Sequence, residues 1–234
     1  LRKSCQRNLR ASCDLRSTLK KGVTPLLTER APMEPRPLVW TDENIKRFWD
    51  FEARHPERYF GALIAQTFPS HVTAYLKPGM RILDYGAGLG HLVREFLKLG
   101  YDVGAVDYSE QSVRAAEARN KDAPGFLGAR STTDCTSWTG TFDLVILSEV
   151  VEHLTDEHLI PTIQACLALL KPAGVLVITT PNAEKLEEAE VFCPDCQKVF
   201  HRWQHVRSWS AHSLANFLRS LSANVLETRE TNLA

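Results

Sequence analysis

The chain has 234 residues, 44% of them hydrophobic and 24% charged, which is the make-up of an ordinary globular domain with apolar mass for a sizeable core. Lys and Arg total 28 and so do Asp and Glu, so no global charge marks nucleic acid or an acidic membrane as the main partner. No apolar run reaches the roughly 18–20 residues that span a bilayer. The six cysteines are scattered rather than framed for disulfides, so a cytoplasmic protein without a membrane span is expected.

Residues 1–38 hold nine Lys or Arg against three acids, with prolines toward the end and no periodicity. They are expected to form a mobile basic arm and linker. An Arg- and Ser-rich, acid-poor start is also found in transit peptides, the alternative that composition favours less. Residues 39–78 are expected to form a helical cap of two helices, rich in Phe48, Trp49, Phe51, Tyr59, Phe60 and Tyr75. Core packing and coverage of a ligand site are both open for it.

From residue 81 the pattern becomes regular. Residues 81–85 (RILDY) form a short apolar strand, and residues 91–99 a helix stopped by Gly100. Residues 102–107 (DVGAVD) form a second strand, and Ser109 caps a helix running to about Arg119. A weak third strand is expected over 126–129 and a strong fourth over 142–147 (FDLVIL). A helix over 159–170 ends at Lys171-Pro172-Ala173-Gly174, and a fifth strand follows over 175–179. Ser210 caps a helix over 210–221, and residues 224–228 are assigned a sixth strand. Strands alternating with helices predict a doubly wound, mainly parallel α/β sheet. Near-continuous apolar strands agree with burial on both faces. The main domain is thus expected over 79–234, with an insert at about 183–209.

Asp84-Tyr85-Gly86-Ala87-Gly88-Leu89-Gly90 stands at the carboxyl end of the first strand, where such sheets bind nucleotide-type cofactors. The glycines permit a tight turn and let the backbone approach a ligand. A dinucleotide fingerprint G-x-G-x-x-G needs glycine where this chain has His91; the third glycine comes at Gly90 instead. The resulting D-x-G-x-G-x-G resembles the first motif of class I S-adenosylmethionine-dependent methyltransferases. The resemblance implies a Rossmann-like fold, S-adenosylmethionine as cofactor, Asp84 facing its methionine amino group and the glycine turn following the methionine and ribose. Asp107 ends the second strand roughly 20 residues after the loop, where a carboxylate accepts from ribose hydroxyls. A helix cap is its alternative. Tyr108 is placed against the adenine, and Tyr85, Ala87, Ser148 and Glu149 complete the expected cofactor set.

Ser148-Glu149-Val150-Val151-Glu152-His153 follows the fourth strand at the same edge. If residues 149–153 turn as a helix, Glu149, Glu152 and His153 share one face. Carboxylates with an imidazole suit a divalent ion. The E-x-x-E-H pattern resembles the ubiquinone-biosynthesis O-methyltransferases and the small-RNA 3′-terminal 2′-O-methyltransferases. In the RNA branch a later histidine completes the metal site, and here the matching residue is His205. The metal-free alternative makes His153 a general base of near-neutral pKa, with Glu152 beside it. Within the insert, Cys193, Cys196 and His201 are the candidate ligands of a structural zinc.

These readings combine into methyl transfer to an oxygen of a small-molecule acceptor. The zero net charge speaks against the alternative, an RNA-terminal 2′-O-methyltransferase. A non-catalytic cofactor-binding module and an NAD enzyme are the remaining alternatives.

Overall fold

The computed structural model of the protein describes residues 34–233, and one compact unit begins at Pro35. Of the arm and linker expected over 1–38, residues 1–33 lie outside the described residues. Just beyond them Arg36–Pro37 forms a short strand, β1.

The region assigned two helices has three, because prolines and a run of short turns divide it. The helices are α1 (Asp42–Glu52), α2 (Phe60–Ile64) and α3 (Phe68–His71). Thr41 caps α1 by accepting from the Asn44 N–H, and Asp42 and Glu43 complement its N-terminal dipole.

The main sheet contains β2 (Arg81–Tyr85), β3 (Asp102–Asp107), β4 (Phe126–Ser131), β5 (Phe142–Ser148) and β6 (Leu170–Thr179). Between them run α4 (His91–Lys98), α5 (Glu110–Asn120) and α6 (Asp156–Leu169). All pairings are parallel, in the order β4-β3-β2-β5-β6. Strands β3 and β5 lie on opposite sides of β2, so the chain switches direction there and opens a crevice at the carboxyl edge.

The local signals act through identifiable bonds. Gly100 takes φ 84°, and the N–H groups of Gly100 and Tyr101 return to Leu97 and Phe96, closing α4. Ser109 accepts from Ser112 to cap α5. The Lys171-Pro172-Ala173-Gly174 stop is absorbed into the start of β6, where pairing with β5 jumps register and Ala173 takes φ 63°.

Two apolar clusters flank the sheet. Phe68, Ile82, Phe96 and Leu144 lie in one, and Leu83, Phe142, Val145 and Ile163 in the other. All of these are essentially inaccessible. Each such side chain contributes about 1.5–3 kcal/mol by leaving water.

One expectation for the C-terminal third is corrected. Residues 224–228 form no strand. Leu233 packs against the first cluster instead, while Tyr75 donates to Glu227 and Thr67 to the Leu233 carbonyl. The insert folds as an antiparallel hairpin, β7 (Glu190–Phe192) and β8 (Lys198–His201), and β1 pairs with β8 to make a second, three-stranded sheet. The last helix is α7 (Ala211–Ser220), begun by a reciprocal Ser210–Ser213 capping box. Among the described residues no helix is long and apolar enough to cross a membrane.

Candidate cofactor and acceptor site

The glycine loop leaves β2 and is tied to β3 by backbone bonds. The N–H groups of Gly86 and Ala87 both donate to the Val106 carbonyl, at 2.8 and 3.0 Å. Gly88 and Gly90 take φ 51° and 71°, left-handed values that suit glycine. A Cβ on Gly88 would come within 2.8 Å of the Tyr59 ring, so the cap lies directly over the loop. A Cβ on Gly90 would come within 3.0 Å of the Ala116 backbone, so this glycine lets α4 and α5 approach.

Asp84 and Asp107 face the crevice from adjacent strand ends. Asp84 is 4% exposed. Burial, reinforced by the charge of Asp107, pushes its pKa up to about 7. Asp107 accepts from the Gly88 N–H at 2.8 Å through Oδ2 and from the Ser109 N–H at 2.9 Å through Oδ1. Burial raises its pKa while those N–H donors oppose the rise. The carboxylate therefore braces the loop. Tyr108 is 47% exposed beside it. Tyr85 is buried in the second apolar cluster with Val106 and Leu147, and it also lines the cavity at the end of β2. Ser148 shares a hydrogen bond with Thr179 at the end of β5.

The E-x-x-E-H segment is not a helical turn. Glu149 takes φ 54°, and its side chain accepts from Thr179 at 2.9 Å. It thereby leaves the face it was expected to share with Glu152 and His153. The ligand atoms that do converge belong to Glu152, His153 and His205, all within 4.8 Å of one another. Burial, with Glu149 nearby, raises the Glu152 pKa. Its Oε2 accepts from Thr180 at 3.0 Å, while Oε1 has no partner. His153 is also corrected as a base of near-neutral pKa. Burial, with His205 adding to it, lowers its pKa to about 3, so it is a neutral imidazole and a weak proton acceptor. Its Nδ1 is buried without a partner. Glu152 Oε1, which has no partner, lies 3.8 Å from His153 Nε2, and a carboxylate gathered with two imidazoles within 4.8 Å is a donor set of the kind a divalent ion takes.

The zinc expectation for the insert is corrected in part. Cys193 and Cys196 occupy the turn of the β7–β8 hairpin, and neither joins His201 in any cluster of three ligand atoms among the described residues. His201 instead lies beside Glu184 and His205.

Sequence reasoning missed Glu184 and Gln204. Gln204 is fully buried at φ 62°, accepts from the Trp49 indole at 2.9 Å and donates to the His153 carbonyl at 2.8 Å. Cap and insert are thereby joined over the site. The one available signal for Glu184 was an acid soon after the carboxyl end of the fifth strand.

A cavity of about 1630 Å³ runs from the glycine loop past Glu152, His153 and His205 and on along β6 to residues 223–233. An open parallel sheet with a glycine loop, an acid on the next strand and a cavity beyond them defines a nucleotide-type cofactor enzyme fold. Residues 52–228 match the family model described as a methyltransferase domain. The chain belongs to the S-adenosylmethionine-dependent methyltransferase family, which removes the NAD reading.

Among curated relatives, it is 32% identical over 175 residues to the mitochondrial ubiquinone biosynthesis O-methyltransferase of Homo sapiens, covering 69% of this chain and 46% of that protein. It is 34% identical over 140 residues to the ubiquinone biosynthesis O-methyltransferase of Xanthomonas axonopodis pv. citri, covering 58% and 56%. The chain thus spans about half the length of these relatives. A solved S-adenosylmethionine-dependent methyltransferase from Archaeoglobus fulgidus shares the fold, with a TM-score of 0.53 at 22% identity over 74% of this chain and 73% of that one.

Proposed function

We propose that this protein transfers the methyl group of S-adenosylmethionine to a hydroxyl oxygen of a small molecule. The observation that carries the reading is the continuous cavity joining the glycine loop and Asp107 to the Glu152–His153–His205 cluster. The names of the curated relatives support a small-molecule acceptor over RNA.

Asp84 receives the methionine ammonium and Asp107 the ribose hydroxyls, with Tyr108 along the adenine. The acceptor lies between the cofactor and the cluster, under Trp49 and Trp203, which line the same cavity. Its oxygen attacks the methyl carbon in line. The new O–CH3 bond forms as the S–CH3 bond breaks, leaving S-adenosylhomocysteine, and the hydroxyl proton passes to the Glu152 carboxylate, whose pKa burial raises. Holding both reactants in one orientation supplies much of the rate. Glu152, His153 and His205 would hold a divalent ion, whose chemistry is to polarise the acceptor oxygen.

The test is a labelled-methyl assay with small dihydroxylated phenols and with RNA, before and after chelation and Mg²⁺ or Mn²⁺ return. Transfer to phenols that follows the ion is expected. Transfer to RNA alone overturns the acceptor assignment, and transfer unaffected by chelation overturns the ion.

A further inference from the structure

Glu184 lies outside the E-x-x-E-H segment, on the loop after β6. That loop is held in place: Ala183 takes φ 49° and its N–H donates to the Trp209 carbonyl at 2.6 Å, while Asn182 forms a bridge with Trp209. Glu184 Oε2 is 2.5 Å from His205 Nδ1, and Oε1 is 3.4 Å from His201 Nε2. His201 stacks on His205 with ring centres 4.3 Å apart and planes 17° from parallel.

The two rings are held differently. The Nδ1 of His201 accepts from the backbone N–H groups of Trp203 and His205, at 3.3 and 3.2 Å. In the neutral ring its proton therefore sits on Nε2, facing Glu184, and that nitrogen has no lone pair for an ion. An ionised carboxylate only accepts, so the Nδ1 of His205 carries the proton in its bond to Glu184. The lone pair of His205 is then on Nε2, the nitrogen left for the cluster with Glu152 and His153.

We propose that Glu184 is a positioning residue that fixes the His205 tautomer and turns its Nε2 lone pair toward Glu152 and His153. A carboxylate behind a histidine ligand is a common way to set ring orientation and basicity, and its loss typically costs about 10–100-fold in metal affinity. The affinity part rests on the proposed ion; the tautomer part does not.

The test combines long-range 1H–15N spectra of the histidine rings with Mn²⁺ titration calorimetry on the whole chain and its Glu184→Ala and Glu184→Gln variants. Expected are a protonated Nδ1 on His205 in the parent, loss of that single tautomer in Glu184→Ala, and its retention in Glu184→Gln, whose amide oxygen still accepts. Mn²⁺ affinity should fall about 10–100-fold in Glu184→Ala and recover in part in Glu184→Gln. S-adenosylhomocysteine binding in each variant reports an intact fold. A proton on Nε2 of His205 in the parent, or an unchanged tautomer in Glu184→Ala, overturns the proposal. A parent that binds no Mn²⁺ overturns the ion reading, while the spectra still decide the role of Glu184.

Discussion

The two poles of the cavity are built in opposite ways. The cofactor pole comes from a short stretch of chain, in which Asp84, the glycine loop, Asp107 and Ser109 are joined mainly by backbone bonds across two neighbouring strands. The proposed acceptor pole gathers Glu152 and His153 from the segment after β5, Glu184 from the loop after β6 and His205 from beyond β8, with Trp49 reaching in from α1. Backbone geometry sets the first pole, whereas side-chain packing and left-handed residues at 149, 183 and 204 set the second. The first should therefore respond locally to substitution, and the second through distant contacts.

The largest effect is expected at the cofactor pole. Asp107→Ala removes the brace on the Gly88 and Ser109 N–H groups together with the proposed ribose acceptor, and S-adenosylhomocysteine affinity should drop on the order of 100-fold or more by calorimetry. Unchanged affinity would sink the ribose assignment. Gly90→Ala places a Cβ against Ala116 at a left-handed φ, and urea unfolding should show a loss of about 2 kcal/mol.

Gln204→Ala tests the acceptor pole by leaving the Trp49 indole and the His153 carbonyl without their partner. A loss of about 1–3 kcal/mol is expected, with cofactor affinity nearly unchanged. If cofactor affinity falls as far as stability, the two poles are not separable as described.

Asp84 gives a pH test. Its folded pKa of about 7 lies above the value for an unfolded aspartate, so its protonated form is favoured in the folded state. Its contribution to stability should decline as pH rises from about 4 to about 7 and be absent from Asp84→Asn, a difference read by urea unfolding across that range. Binding a ligand ammonium favours the carboxylate, so cofactor binding near about pH 6 should release protons, seen as a dependence of the binding heat on buffer. The smallest effect is expected at the hairpin turn. Cys196→Ser should shift stability by no more than about 0.5 kcal/mol, since that thiol is exposed and joins no cluster of three ligand atoms among the described residues.

Sequence alone made the cofactor pole legible because its residues are close in the chain and their spacing carries the geometry. Gly86, Gly88, Gly90 and Asp107 follow from strand ends and turn chemistry, as do the Gly100 stop and the Ser109 and Ser210 caps. Residues 224–228 were misjudged because apolar content does not supply a pairing partner. Glu149 left its expected face because periodicity assumes a helix that the positive φ at that position prevents. Glu184 and Gln204 have no local pattern at all. Which residues complete the acceptor pole was decided by how β6, the β7–β8 hairpin and α1 pack over one strand end, since contacts between distant segments depend on the fold and not on spacing along the chain.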